Sequence, residues 1–172
     1  IGITGSNGKT TTKELVAAVL SSHFKTYTTQ GNLNNHIGVP LTLLSIHDDA
    51  QMAVIEMGAN HLHEIESYCK YAMPNYGLIT NFGKAHLEGF GSEEGVKKGK
   101  GELFDYLKSN EGAAFIMQDF DYLVNMSSGL AKVITYGNHS GNLQANASTV
   151  NGMLQVNFTQ GSPIESIQTQ LV

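Results

Sequence analysis

The chain has 172 residues, a net charge of −5 and ten basic residues, all of them lysine. This length fits one domain, or one domain with a small appendage, and excludes a second large domain. Without arginine, the chain lacks the basic face that nucleic-acid binding requires. No apolar run approaches the roughly 20 residues that cross a bilayer, so we expect no membrane insertion.

A short strand, a glycine-rich loop and a helix begin the chain. Ile1 to Thr4 predict the strand, and apolar residues at helical spacing predict a helix from Lys9 to about Ser22. Gly5 and Gly8 allow a tight turn that brings backbone N–H groups against phosphate oxygens. The pattern predicts a phosphate-binding loop, although Ile3 stands where the common pattern has its first glycine.

Two side chains indicate what this loop binds. Lys9, in a loop that we expect to face solvent, is placed to bind the terminal phosphates, and the Thr10 hydroxyl to bind Mg²⁺. We therefore predict that the nucleotide is held by the residues Gly5, Ser6, Asn7, Gly8, Lys9, Thr10 and Thr11.

The next segments predict a strand from Lys25 to Thr28, a polar loop from Thr29 to Gly38 and a helix from Val39 to Leu44. The loop contains three asparagines, and turn chemistry alone could account for them. An apolar run from Met52 to Met57 then predicts a central parallel strand that is covered on both faces. Glu56 near its end is costly to bury without a cation, so it is either a metal ligand or a cap of the next turn.

A helix from His63 to Ala72 and a strand from Tyr76 to Thr80 follow. His86 lies after this strand and is either a surface histidine or a second metal ligand. The single cysteine, Cys69, cannot form a disulfide within the chain, so we expect a buried thiol and a cytoplasmic protein.

Ser92 is expected to cap a helix that runs to Leu107. Glycines weaken the intrinsic helix propensity of this segment, so something other than propensity must stabilise it. Three lysines cluster there, and neighbouring cations lower one another's pKa, although a solvated helix face is the simpler explanation. These lysines are Lys97, Lys98 and Lys100.

The remaining segments predict strands from Ala113 to Met117 and Lys132 to Tyr136, with a helix from Asp119 to Met126 between them. From residue 137 to residue 172 we expect a small antiparallel β annex, because alternating segments are separated by turn residues. Its three predicted strands are Asn142–Val150, Gly152–Phe158 and Ile164–Leu171. The fold class is therefore α/β, a mostly parallel sheet with flanking helices of the P-loop type, followed by this annex.

Four ordered motifs resemble the Mur ligases, the ATP-dependent amide-forming enzymes of peptidoglycan precursor synthesis. The resemblance covers the chain to about Tyr136. The motifs are Thr4–Thr11, Gly31–Pro40, Glu56–His61 and Ala85–Ser92. Within the family they look like the members that join D-alanyl-D-alanine to UDP-N-acetylmuramoyl-tripeptide.

The resemblance implies a three-domain enzyme, in which an N-terminal domain holds the UDP sugar and a C-terminal domain carries the amino component. Residues 1–172 are then most of the central ATP-binding domain, without the later histidine/asparagine motif that the family has on the adenine side of its site. The segment alone is then expected to be inactive, and a cytoplasmic monomer is expected for the enzyme. By resemblance, Thr10 and Glu56 hold a first Mg²⁺, and His86 and a carbamylated Lys100 hold a second. Lys9, His86 and Lys100 are the implied catalytic residues, and Asn32 to Asn35 lie near the γ-phosphate, with Asn32 and Asn35 as the expected contacts.

Two classes of alternative remain open. Another Mur-type ligase, such as the one that adds the third residue of the peptide, or a folylpolyglutamate synthetase would use the same chemistry, but the asparagine-rich loop argues against both. The chain could instead be an ATP-binding module without activity of its own.

Overall fold

The computed structural model describes residues 1–83 and 87–171. The chain forms two compact units. The first comprises Ile1–Ala114 with Gly129–Lys132, and the second comprises Phe115–Ser128 with Val133 and the residues that follow.

The first unit alternates strands and helices. Its strands are β1 (Gly2–Thr4), β2 (Thr26–Thr28), β3 (Met52–Glu56) and β4 (Tyr76–Ile79), in the spatial order β2-β3-β1-β4. Its helices are α1 (Lys9–Ser21), α2 (Gly38–Leu44), α3 (Glu64–Ala72), α4 (Leu87–Phe90) and α5 (Glu93–Ser109).

The strands of this first sheet run parallel, with Ile3 opposite both Glu56 and Leu78. This register brings the carboxyl ends of β1, β3 and β4 to one edge of the sheet, where ligands bind in open α/β folds. Val54, Ile55 and Glu56 are buried, as the sequence predicted for a strand covered on both faces. The loops that leave this edge therefore carry the candidate site.

The second unit contains β5 from Phe115 onward (Ala113–Met117), α6 (Asp121–Met126), β6 (Lys132–Gly137), β7 (Leu143–Val150), β8 (Met153–Gln160) and β9 (Ser166–Gln168). The pairs β7–β8 and β8–β9 are antiparallel, which confirms the expected meander. Asn151 and Gly152 both have positive φ at the β7–β8 turn.

Some boundaries differ from those expected. β9 has three residues instead of the eight predicted from Ile164 to Leu171, and β6 pairs with β7 in parallel over two residue pairs. The turns at Ser162–Ile164 and Thr169–Leu171 are held by their own side-chain hydroxyl groups, which shortens the strand. The mostly parallel α/β fold with antiparallel strands at its end is confirmed.

Two predictions about helices and burial also hold. The Ser92 hydroxyl accepts a hydrogen bond from the Gly95 N–H at 3.0 Å and caps α5. Cys69 is fully buried and free, and burial raises the pKa of its thiol to about 12. None of the helices in the described ranges combines the length and apolar character that a membrane crossing requires.

Candidate active site

The loop between β1 and α1 has a backbone that favours glycine at two positions. Gly5 has φ 138° and Gly8 has φ 77°, both in the region that side chains disfavour. A Cβ on Gly5 would overlap the hydroxyl of Thr80. That hydroxyl donates to the Asn7 carbonyl at 2.7 Å, and the Asn81 side chain accepts from the Asn7 N–H at 3.1 Å. Residues after β4 therefore hold the loop in shape.

Lys9 is the first residue of α1 and folds back over this loop. Its ammonium donates to the carbonyls of Gly5 at 3.0 Å and Ser6 at 3.2 Å. Burial lowers the pKa of Lys9, and the negative charge of Glu56 opposes that shift. The sequence predicted a lysine in a solvent-facing loop, but the side chain is half-buried because it packs along the loop backbone.

Glu56 ends β3 and is fully buried. Its Oε1 accepts hydrogen bonds from the Thr10 hydroxyl at 3.2 Å and the Asn34 amide at 2.7 Å. Its Oε2 has no hydrogen-bond partner among the residues that the structure describes. A buried carboxylate oxygen without a partner is costly, so a cation is the expected partner.

The donors around Glu56 fit magnesium. A carboxylate and a threonine hydroxyl are hard oxygen ligands, which Mg²⁺ prefers, and Mg²⁺ needs only one or two protein ligands when phosphates supply others. Within residues 1–83 and 87–171, no group of three or more histidine, cysteine, aspartate or glutamate side chains could hold a metal ion by itself. The arrangement therefore fits an ion that is shared between Glu56, Thr10 and nucleotide phosphates.

The three asparagines of the polar loop have different environments. Asn34 donates to Glu56, and its backbone carbonyl accepts the Gly58 N–H at 2.7 Å. The side chain of Asn35 accepts the N–H groups of Ile37 and Gly38 and so caps the start of α2. Asn32 is exposed. The structure therefore brings Asn34 to the carboxylate, while the expected contacts of Asn32 and Asn35 with the nucleotide stay predictions.

Lys100 lies on the buried face of α5 and is 1% exposed. Its ammonium donates to the Ala59 carbonyl at 2.8 Å and lies 5.4 Å from the centre of the Phe90 ring. Burial, and to a smaller extent the positive charge of Lys9, lower the pKa of Lys100 to about 8. The amine is therefore more easily deprotonated than that of an ordinary lysine.

The explanation from the sequence for Lys100 is wrong in two respects. Lys100 is not part of a solvated helix face, because α5 buries it. Lys97, which was expected to lower its pKa, is partly exposed and pairs with Glu94 at 3.4 Å. The neighbouring cation is Lys9, which comes from a different element.

The glycines of α5 allow Phe90 to approach the helix. A Cβ on Gly99 would overlap the Phe90 ring, and a Cβ on Gly95 would overlap its carbonyl oxygen. The ring thus packs against the helix backbone at Gly99, the residue directly before Lys100. This contact with Phe90 helps to stabilise α5, whose glycines lower its intrinsic helix propensity.

A family model described as the Mur ligase middle domain matches residues 3–172. The chain belongs to the Mur ligase family. Two similar curated proteins are named UDP-N-acetylmuramoyl-tripeptide–D-alanyl-D-alanine ligase. The Escherichia coli (strain K12) protein is 41% identical in an alignment of 174 positions that covers 99% of this chain and 38% of that protein. The Bacillus subtilis (strain 168) protein is 41% identical over 140 residues, which is 81% of this chain and 30% of that protein.

Solved structures of the family have the same fold. MurF from Acinetobacter baumannii superimposes with a TM-score of 0.86 at 32% identity, covering 99% of this chain and 38% of that one. MurF ligase from Thermotoga maritima, solved in complex with ADP, gives a TM-score of 0.86 at 29% identity, covering 97% of this chain and 39% of that one. The chain thus spans about a third of the length of the curated relatives it matches.

Within this Mur ligase domain, the described site residues come from three elements and the loops that join them. Thr10, Glu56 and Asn34 lie in direct contact, and Lys9 lies close enough to both Glu56 and Lys100 to affect their electrostatics. His86 lies outside the described residues, so its role as a metal ligand stays a prediction. The exposed side chain of His61 lies 3.4 Å from Glu64.

Sequence reasoning missed several residues that shape the site. Thr80 and Asn81 hold the phosphate-binding loop, as described above. Glu102 accepts the N–H groups of His63 at 2.6 Å and Glu66 at 3.0 Å, and so caps α3. The only sign of this role in the sequence is a glutamate, Glu102, on the buried face of a helix. Its position does not indicate which groups it binds.

Proposed function

We propose that residues 1–172 are the central ATP-binding domain of a ligase that adds D-alanyl-D-alanine to UDP-N-acetylmuramoyl-tripeptide. The names of the curated relatives and the family membership support this proposal. The observation that carries the ATP chemistry is the buried Glu56, with one oxygen on Thr10 and the other without a described partner, beside the phosphate-binding loop.

In the proposed reaction, the γ-phosphoryl group of ATP passes to the carboxylate of the UDP-muramoyl peptide. The bond between the γ-phosphorus and the ADP oxygen breaks, and an acyl phosphate forms. The amine of D-alanyl-D-alanine then attacks the acyl carbon, loses a proton and displaces phosphate. Such a transfer depends on positioning and charge neutralisation more than on a protein nucleophile.

In the proposed reaction, residues of this chain would supply both the positioning and the charge neutralisation. The backbone of Gly5 to Thr10 would cradle the phosphates, and Lys9 would exchange its loop carbonyls for phosphate oxygens. Glu56 and Thr10 would hold a first Mg²⁺, and His86 and a carbamylated Lys100 a second. Bound magnesium neutralises charge on the phosphate oxygens. Because this chain contains no arginine, its lysine side chains are the permanent cations that it can contribute.

The test is turnover by the complete polypeptide that carries this sequence. It should form the amide from UDP-N-acetylmuramoyl-tripeptide, D-alanyl-D-alanine and ATP, and release ADP and phosphate in equal amounts. Product formed only with other acceptors would indicate another Mur-type or folylpolyglutamate-type ligase. Nucleotide binding without product would indicate an ATP-binding protein. We further propose a cytoplasmic monomer, which sedimentation of the complete polypeptide would test.

A further inference from the structure

Lys13 is a fully buried lysine that the proposed mechanism does not use. It lies on α1, one turn after Lys9. Its ammonium donates to the carbonyls of Thr29 at 2.6 Å and Gly31 at 3.3 Å and pairs with Glu14 at 2.8 Å. Burying an ammonium is costly unless its protons are bound, and here two carbonyls and a carboxylate accept them.

The backbone segment that Lys13 binds also contacts Glu56, the proposed ligand of Mg²⁺. The hydroxyl of Thr29, which is also fully buried, accepts the Glu56 N–H at 3.0 Å. Three residues after Gly31, Asn34 donates to the Glu56 carboxylate at 2.7 Å. The asparagine loop is therefore tied to Glu56 through Thr29 at its start and through Asn34 further along.

The other end of this connection is the helix that carries the phosphate-binding residues. Thr10, in the first turn of α1, contacts the same Glu56 oxygen as Asn34. Lys13, in the next turn, therefore sets the distance between α1 and the loop that supplies Asn34. If Lys13 only filled space, an apolar side chain of similar length would leave the magnesium dependence of nucleotide binding unchanged.

We propose that Lys13 is a positioning residue: its ammonium fixes the Thr29–Gly31 backbone so that Asn34 and Thr10 keep Glu56 in the geometry that binds the magnesium nucleotide. The inference rests on the proposed function. It predicts that removing the ammonium weakens magnesium-dependent nucleotide binding even where the fold persists. Residues that orient a metal ligand typically change metal affinity about 10- to 100-fold when they are substituted.

The experiment compares Lys13→Met with wild type in the complete polypeptide. Calorimetric titration of ADP at a series of Mg²⁺ concentrations is the first readout, and kcat and KM for D-alanyl-D-alanine are the second. We expect ADP binding by Lys13→Met to require an Mg²⁺ concentration at least about 10-fold higher than in wild type, with a lower kcat and an unchanged KM for the dipeptide. Lys70→Met is the matched control, because Lys70 is exposed on α3 and pairs only with Glu66 among the residues described. Magnesium dependence and kcat within about twofold of wild type for Lys13→Met would overturn the proposal.

A double-mutant cycle separates positioning from general stability. Asn34→Ala removes one of the contacts through which Lys13 acts, so the loss of magnesium-dependent ADP affinity that Lys13→Met causes should be smaller in that background than in wild type. Fully additive losses would contradict the proposal. If Lys13→Met does not fold, Thr29→Val removes the hydroxyl that accepts the Glu56 N–H while keeping the shape, and wild-type magnesium dependence of that variant would also overturn the proposal.

The two proposals fail in different ways. A wild-type polypeptide that binds magnesium ADP but forms no amide would contradict the proposed ligase function. In that case the ADP titrations of the Lys13 variants still decide whether Lys13 positions Glu56.

Discussion

At the scale of single residues, the two oxygens of the Glu56 carboxylate differ. One oxygen accepts from Thr10 and Asn34, whereas the other has no hydrogen-bond partner in the described part of the chain. Hydrogen bonds to a carboxylate stabilise its charged form, and the free oxygen leaves that charge exposed to a cation. The same environment therefore holds the side chain rigid and leaves one coordination position open.

Lys9→Ala in the complete polypeptide should abolish or nearly abolish turnover. Loss of one preorganised donor to developing charge typically costs at least about 100-fold in kcat. The fold should persist, because Lys9 is only half-buried and bonds loop carbonyls that water can also solvate. Initial rates and circular dichroism provide the measurement, with the exposed Lys25→Ala as control. Unchanged turnover would remove Lys9 from the site.

Lys100 should become carbamylated, and the modification should increase with pH. Only the neutral amine reacts with carbon dioxide, and with a pKa of about 8 its fraction rises through that pH. At a fixed carbon dioxide concentration, the carbamate fraction should therefore rise from about pH 7 to about pH 9. A crystal structure of the complete enzyme with magnesium nucleotide and bicarbonate should show density beyond the Lys100 amine.

Turnover of Lys100→Ala complements that structure. Loss of activity in the variant, with extra density on the amine in wild type, would establish Lys100 as a metal ligand. A plain amine that keeps its hydrogen bond to Ala59, together with near-normal turnover of the variant, would make Lys100 a structural residue.

Sequence alone predicted the residues whose position follows from the strand and loop pattern. Thr10 follows the glycine-rich loop and Glu56 ends a buried parallel strand, and the resemblance implied that the two share a metal site. Which asparagine reaches Glu56 depends on the turn at Gly31, which periodicity does not describe. Lys13 was missed for a related reason, since its partners are backbone carbonyls and leave no trace in the residue types.

At the scale of elements, α3 and α5 are joined by a charged cap. Glu102 on α5 accepts two N–H groups from the first turn of α3, which would otherwise lack intrahelical partners. Its negative charge also lies at the positive end of the α3 dipole. Because Ala59 accepts the Lys100 ammonium just before this turn, the cap helps to fix the segment that holds Lys100.

Glu102→Gln should loosen the start of α3. The amide keeps one acceptor oxygen and loses the charge, so one N–H is left without its partner at a cost of about 1 kcal/mol. Hydrogen exchange of a peptide that covers residues 60–72 should become faster in the complete polypeptide. Glu94→Gln on the exposed face of α5 is the matched control. Equal exchange rates in both variants would show that the cap does not stabilise α3.

The helices and strands of the first unit were predictable because their apolar periodicity is strong. The glycines of α5 were not explained by sequence, since their reason is the ring of Phe90 packed against the helix. In the second unit, the turn residues predicted the meander, but the parallel pairing of β6 with β7 was missed because it spans only two residue pairs, which periodicity does not reveal.

At the scale of the whole molecule, a shared metal site requires the side chains of His86 and Glu56 to lie close together. His86 follows β4, which pairs with β1, and β1 pairs with the strand that ends in Glu56. A crystal structure of the complete enzyme with magnesium nucleotide should place the two side chains within about 12 Å, the span of two ions about 4 Å apart and their ligands. A larger separation would exclude a shared site.

The 172-residue chain should form no amide by itself. It matches 38% of the E. coli relative and 30% of the B. subtilis relative. The resemblance places the UDP-sugar and amine sites in other domains of the enzyme. Without those domains, the carboxylate is not held near the γ-phosphate of ATP and the amine is not held near the acyl phosphate, so the advantage of proximity is lost.

Mass spectrometry of reactions with ATP, UDP-N-acetylmuramoyl-tripeptide and D-alanyl-D-alanine provides the measurement, with the complete polypeptide as positive control. The same chain with Lys9→Ala controls for ligase carried over from the expression host, because such a contaminant forms product with either chain. Product from the unmodified chain and none from the variant would show that the central domain catalyses the reaction alone and would contradict the prediction. ATP affinity should also be weaker than that of the complete polypeptide, because the resemblance places residues of the adenine side outside this chain.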